Sequence, residues 1–229
     1  MQIRSAISQF HRLHGYALNH VEHINITSYP SFAALEKKET CGVDYAIQMR
    51  YGNSGIAVMA IHGGGIEPGT TEIADAIAGD DHTFYSFIGL KPSGNAALHI
   101  SSRKFDEPIG HEIAEHARVV VSIHGCKDRK AMTYVGGRHA ALKLAIKHAL
   151  AEKRFPIADA IRFPGVNPKN ICNRSPHGKG LQLEISFGMR QQLFGDFSRF
   201  QRNRVQPSFF AYVLAIQTGI NSVCPAHPP

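Results

Sequence analysis

Hydrophobic and polar positions along the chain form short runs that change period several times. From Val43 to Arg50 (VDYAIQMR) they alternate as in a half-buried strand. Gly55 to Ile61 (GIAVMAI) is an apolar run of the length expected for a strand buried on both faces, and it stops at His62. Gly63 to Thr71 contains three successive glycines and a Pro-Gly, which predicts a loop. Thr70 or Thr71 then supplies a helix N-cap, with the helix running to Ala78 and closed by Gly79. Thr83 to Leu90 and Ala97 to Ser102 read as strands joined by a turn at Lys91 to Asn95. His111 to Arg118 reads as a short helix. Val119 to Ile123 (VVVSI) is a second buried strand, again ending on a histidine, His124. Arg138 to Lys153 carries a helical stripe at Leu142, Ala145, Ile146 and Ala149. A loop with Pro164, Pro168 and Pro176 leads to a third strand, Leu181 to Ser186 (LQLEIS), and Ser208 to Ile220 reads as a C-terminal helix.

Strands alternating with helices predict an α/β fold, with a mixed, largely parallel sheet flanked by helices on both faces. The 229 residues, 43% of them hydrophobic, are expected to form one domain. Residues 1–40 are a polar approach segment, 41–220 the core and 221–229 a tail. No apolar run reaches the length of a membrane span, and the N-terminal MQIRSAISQFHRLHGYALNH lacks the apolar centre of a secretory signal. A cytoplasmic monomer is expected, with release by lysis left open. The four cysteines (Cys41, Cys126, Cys172, Cys224) form no Cys-x-x-Cys pair and support neither a zinc ribbon nor a disulfide framework.

Charge and histidine content add chemistry to this outline. Twenty-five basic against 18 acidic residues give +7, a field that attracts polyanions such as nucleic acid or an acidic polymer. No lysine cluster with interleaved aromatics supports nucleic acid, although a basic nucleic-acid-binding protein remains an alternative. Fourteen histidines raise the question of a metal. In open α/β sheets the site lies beyond the carboxyl ends of the strands, where two buried runs here deliver His62 and His124. Glu67 follows His62 by five residues on the glycine loop. Two imidazoles and a carboxylate make the donor set of a catalytic zinc, with a fourth position for water.

Glu184, inside the apolar run LQLEIS, is costly to bury unpartnered and is a candidate general base; on alternation alone it equally fits the exposed face of an edge strand. Arg174 and Arg103, in loops at the same edge, suit bidentate capture of carboxylates. The His-Gly-Gly-Gly run resembles an esterase oxyanion loop, but no G-x-S-x-G elbow accompanies it. Cys126, two residues after His124, has no demonstrated histidine partner for a nucleophilic role. Gly178-Lys179-Gly180 is not a phosphate-binding Walker motif.

The segments HGGGIEPGTTEIADAIAG (62–79), LHISSRKFDEP (98–108), VSIHG (121–125) and NRSPHGKGLQLEIS (173–186) together resemble the poly-γ-glutamate hydrolase family of bacteria and their phages, over roughly residues 40–190. The resemblance implies a zinc-dependent peptidase of carboxypeptidase-like α/β fold that cleaves γ-glutamyl amide bonds. It implies His62, Glu67 and His124 as zinc ligands, Glu184 as base, and Arg174 and Arg103 as binders of substrate carboxylates. Zinc carboxypeptidases commonly place their first His and Glu ligands three residues apart, and the interval of five here departs from them. A zinc amidase or peptidase acting on another acidic substrate is the neighbouring alternative.

Overall fold

The computed structural model of the chain describes residues 29–195 and 204–225. Most of the N-terminal approach segment and the last four residues of the tail therefore lie outside the described residues. The elements are α1 (Phe32–Leu35), β1 (Tyr45–Arg50), β2 (Ile56–Gly64), α2 (Thr70–Ala78), β3 (Thr83–Gly89), α3 (Pro108–His116), β4 (Val119–Cys126), β5 (Thr133–Gly137), α4 (Ala140–Glu152), β6 (Ile157–Asp159), β7 (Leu181–Ser186), α5 (Phe187–Phe194) and α6 (Pro207–Val223).

The seven strands form one sheet in the order β1-β3-β2-β4-β7-β5-β6. Strands β3, β2, β4 and β7 run parallel, β1 is antiparallel to β3, and the β5–β6 pair runs antiparallel to β7. The parallel centre explains the continuous apolar runs, because β2 is buried along its whole length and β7 likewise. Alternate side chains feed two cores. Val58, Val121, Leu183 and Ile185 pack with α2, α4, α5 and α6 on one face, while Ala57, Met59 and Val120 pack with α1 and α3 on the other. The mixed, largely parallel sheet with helices on both faces is as the sequence predicts.

Several boundaries differ for local reasons. Strand β2 does not stop before His62, since Gly63 and Gly64 go on pairing with Ile88 and Gly89 after a register shift beyond Ala60. The α2 cap is Gly69 rather than a threonine. Thr70 instead donates its hydroxyl to the Glu67 carbonyl (2.8 Å), and Thr71 Oγ1 accepts from the Gly64 N–H (3.0 Å), so both tie down the glycine loop. Residues 97–102 are not a strand: Asn95–Leu98 is a 3-10 turn, and the following residues cross the second face of the sheet. Their alternation records one-sided burial of Leu98 and Ile100 without strand pairing. Strands β5 and β6 and helix α5 were not predicted. The first is five residues ending in two glycines, the second is three residues long, and α5 has a mixed sequence capped by Ser186, which accepts from the Met189 N–H (3.0 Å).

Among the described residues no helix is long and apolar enough to cross a membrane. Within the glycine loop, Gly64 holds the left-handed conformation (φ 63°). Gly63 lies so close to the Thr71 and Ser86 hydroxyls that a Cβ would collide with both. Gly63→Ala is therefore expected to cost more than about 2 kcal/mol, read as a lowered thermal midpoint, whereas at exposed Gly42 no atom lies within 4 Å of a Cβ and only the strain of its left-handed backbone (φ 83°) opposes the same change, which should cost less than at Gly63.

Candidate active site

The parallel strands β2, β4 and β7 end at one edge, and each carries a polar residue there. His62 comes from β2, His124 from β4 and Glu184 from β7, with His124 and Glu184 in register across the strand pair. The two-residue period places Ser122 and Gln182 on the same face as His124 and Glu184. The loop after β2 doubles back so that Glu67 reaches both strand ends. Its Oε1 lies 3.0 Å from His62 Nδ1, and its Oε2 accepts the Gly125 N–H at 2.8 Å. His124 Nδ1 stands 3.1 Å from His62 Nδ1 and 3.6 Å from Glu67 Oε2.

The tautomer of His62 follows from its other nitrogen. Nε2 lies 2.7 Å from the Ile100 carbonyl, which can only accept, so Nε2 carries a hydrogen. His124 Nε2 lies 2.9 Å from Ser122 Oγ, a hydroxyl that can donate or accept; where it accepts, His124 has the same tautomer as His62. Both rings then turn Nδ1 toward each other and toward Glu67. Two nitrogen lone pairs and a carboxylate crowded within hydrogen-bond distance repel one another unless a cation, a proton or a metal, sits among them. Outer carbonyl and hydroxyl partners of this kind commonly orient metal-binding imidazoles. Burial raises the Glu67 carboxyl, but the His62 charge and hydrogen bonds from His124 and His62 outweigh it and hold the group well below the usual carboxylate range. For His124, burial favours the neutral ring, yet its hydrogen bond to Glu67 and the charge of Glu184 raise its pKa in the metal-free site.

A third histidine joins the group unannounced by strand patterning. His99 stacks on His62 with ring centroids 3.9 Å apart, and its Nε2 is 3.8 Å from Glu67 Oε1. His62, Glu67 and His99 offer donor atoms within 4.8 Å of one another, a group able to hold a metal ion. Burial and the positive field of His62 lower the His99 pKa to about 4, so the ring is neutral near pH 7. It was missed because its stretch was read as a strand, although it stands in the LHISS segment.

Glu184 is 8% exposed and faces the site, which removes the edge-strand alternative. Its Oε1 accepts from Gln182 Nε2 (3.1 Å); that amide also donates to the Phe163 carbonyl (3.0 Å), and Gln182 Oε1 accepts from Asn170 (2.8 Å). Burial pushes the Glu184 carboxyl up to about 6, with the charge of His124 opposing and that of Glu67 reinforcing the rise. Arg103 is exposed and Arg174 half-buried. Their loops are joined by the Ile171 N–H donating to the Ser102 carbonyl (2.9 Å), but among the described residues neither arginine bonds to the cluster. Cys126 is half-buried and burial raises its thiol pKa, opposite to an activated nucleophile.

One residue organises the edge without having been anticipated. Arg190, on α5 and 5% exposed, donates to the carbonyls of Ile185 (3.1 Å), Pro68 (2.6 Å) and Cys126 (2.9 Å). A single guanidinium thereby fastens the ends of β4 and β7 to the loop that follows β2.

A mixed sheet of this topology, with a His/Glu cluster at its carboxyl edge, defines a hydrolase of zinc-carboxypeptidase-like fold. The chain belongs to the poly-gamma-glutamate hydrolase family, whose model matches residues 29–215. It resembles the solved bacteriophage poly-gamma-glutamate hydrolase at 38% identity and a TM-score of 0.83, covering 85% of this chain and 97% of that one. The zinc-free form of YndL superposes with a TM-score of 0.81 at 33% identity over 85% of this chain and 98% of that one. Among curated relatives, YmaC of Bacillus subtilis (strain 168) is 34% identical over 217 residues, 93% of this chain and 92% of YmaC.

The raised Glu184 pKa has a stability consequence. A folded-state value of about 6 against an ordinary 4.5 means that the fold prefers the protonated acid. Its favourable contribution is complete below about pH 4.5 and is lost as pH rises through about 6. At pH 8 the buried carboxylate costs about 2 kcal/mol, at about 1.36 kcal/mol per pKa unit. Metal-free Glu184→Gln should therefore melt at a higher temperature than the metal-free parent at pH 8, with the gain vanishing near pH 4. Equal midpoints at pH 8 would contradict the burial argument.

Proposed function

We propose that the protein is a zinc metallopeptidase that hydrolyses γ-glutamyl amide bonds of poly-γ-glutamate. The observation carrying this reading is the convergence of His62, His124 and Glu67 within hydrogen-bond distance at one sheet edge, with Glu184 on the neighbouring strand. His62, Glu67 and His124 supply the N₂O set that zinc accepts in hydrolases, leaving one position for water or substrate. The zinc-free form of YndL, a homologue of the same fold, supports that choice of metal. A zinc ion held there supplies Lewis acidity that polarises a carbonyl and lowers the pKa of water. His99, half-exposed and stacked on His62, borders the ligands on their solvent side.

Glu184 is the general base. Its carboxylate takes a proton from the attacking water and returns it to the departing amine, so one group serves as base and then acid. A pKa of about 6 before metal binding suits that exchange near neutral pH. Gln182 restricts the carboxylate by holding Oε1, leaving the other oxygen for the proton. Arg103 and Arg174, on their joined loops, pair with the α-carboxylates that every γ-linked residue carries.

Metal analysis of untagged protein, with a viscosity assay on poly-γ-glutamate, tests the reading. The parent should carry about one zinc and shorten the polymer. Glu184→Gln should keep the metal and lose 10²-fold or more in kcat, and His62→Ala should lose both metal and activity. Fully active protein without metal, or an active Glu184→Gln variant, would overturn the assignment.

A further inference from the structure

At the opposite end of the parallel strands lies a second feature that the reaction does not use. A cleft of about 450 Å³ is lined by Arg118, Arg138, His139, His177 and Lys179, together with Val119, Ala140 and Ala141. Arg118 immediately precedes β4, Lys179 precedes β7, and Arg138 and His139 follow β5, so the topology gathers them at the edge remote from His62 and His124. Among the described residues no acidic side chain lines the cleft. Among the described residues none of its three permanent cations is in an ion pair; Arg118 and Arg138 donate only to the carbonyls of Ser54, Pro225 and Gly178. Ala140 and Ala141 open α4, whose first N–H groups add positive character. Burial, with the charge of Lys179 adding to it, lowers the His139 pKa.

Three uncompensated cations in one cleft constitute a standing repulsion that an anion relieves. The volume falls within the range of ligand sites and is many times the ~30 Å³ of a single water, which suits a succession of anionic groups better than one small ion. A γ-linked polyglutamate presents such a succession, one carboxylate per residue.

We propose that this cleft is an exosite for the polyanionic substrate, engaging a stretch of chain distant from the bond being cut. The proposal rests on the function argued above. From Val119 to His124 the strand rises about 17 Å at ~3.3 Å per residue, and helices cover both faces of the sheet, so a chain passing from one edge to the other outside a helix layer roughly 10 Å thick travels on the order of 35 Å; a short oligomer seated at the catalytic edge does not reach the cleft, whereas a long chain running over the surface does. Two weak engagements of one chain reinforce each other through effective concentration. The exosite therefore selects for length while leaving the chemistry at the other edge unaltered.

Full-length Glu184→Gln protein, loaded with zinc and titrated with end-labelled γ-linked chains in a fluorescence anisotropy experiment, separates the possibilities. Reversing two exposed cations, Arg138→Glu with Lys179→Glu, should weaken binding of long chains at least tenfold and leave a tetramer unaffected. Arg138→Lys with native Lys179 should retain the long-chain affinity. The milder pair Arg138→Gln with Lys179→Gln should give an intermediate loss, and covers the case of a reversed variant that does not fold. In the active background, the same pair should raise KM for long polymer with kcat and tetramer kinetics unchanged. Unchanged long-chain affinity, or equal losses for tetramer and long chain, would overturn the exosite. Inorganic phosphate that saturates the cleft without competing with long chains would overturn the polymer as its occupant. If the parent enzyme cleaves no γ-linked chain while charge reversal still abolishes long-chain binding, the catalytic reading fails and the cleft stands as a polyanion site.

Discussion

The Glu67 carboxylate is the constraint on which the edge of this sheet depends. One oxygen meets His62 and the other accepts the Gly125 N–H, so a side chain from the loop beyond β2 closes onto the end of β4. The closure brings two imidazole nitrogens to 3.1 Å, where they share a hydrogen or together face a cation. The glycine loop serves the same end. Gly64 supplies the left-handed turn, Gly63 admits the Thr71 and Ser86 hydroxyls, and both threonines at the start of α2 are spent on tying that loop. A carboxylate that would cost several kcal/mol if buried alone is held here by the Gly125 N–H on one oxygen and by the histidine cluster beside the other.

Much of this was legible in the sequence because burial is written in apolar runs. GIAVMAI and VVVSI can only be strands of a covered sheet, and parallel strands necessarily deliver the residues that follow them to one edge; His62 and His124 were legible for that reason. Glu184 was ambiguous, since alternation within LQLEIS cannot say which face is covered; the central position of β7, between β4 and β5, decides it. His99, Gln182 and Arg190 were not legible. His99 and Arg190 owe their places to contacts between segments far apart in the chain, as when Arg190 reaches the Pro68 carbonyl, which no local period reports, and Gln182 shares the face of Glu184 only once that face is known. The reading of residues 97–102 as a strand failed from the same limitation, because burial on one side looks alike in a strand and in a chain crossing a sheet.

The two ends of the sheet divide the electrostatic work. At the carboxyl edge positive and negative groups are interlocked: beside burial and the histidines, the charge of Glu67 raises and that of Arg190 lowers the Glu184 pKa, and both carboxylates act on Arg190. At the amino edge the charge is of one sign, exposed and open to salt. Ionic strength should thus act on the second and scarcely on the first. The excess of +7 is distributed unevenly, and the part of it that attracts polyanions need not lie beside the reacting bond.

Arg190 gives the carboxyl edge a dynamic character that follows from its three carbonyl partners. Breathing motions in a sheet ordinarily begin at individual strand ends, each fraying on its own. Here the loop after β2 and the ends of β4 and β7 share one guanidinium, so fraying one of them takes a partner from a buried cation that also holds the other two. The three segments that carry the ligand cluster are accordingly coupled through one side chain. Partly assembled states, with a cation gripped by one strand alone, are the states this arrangement suppresses.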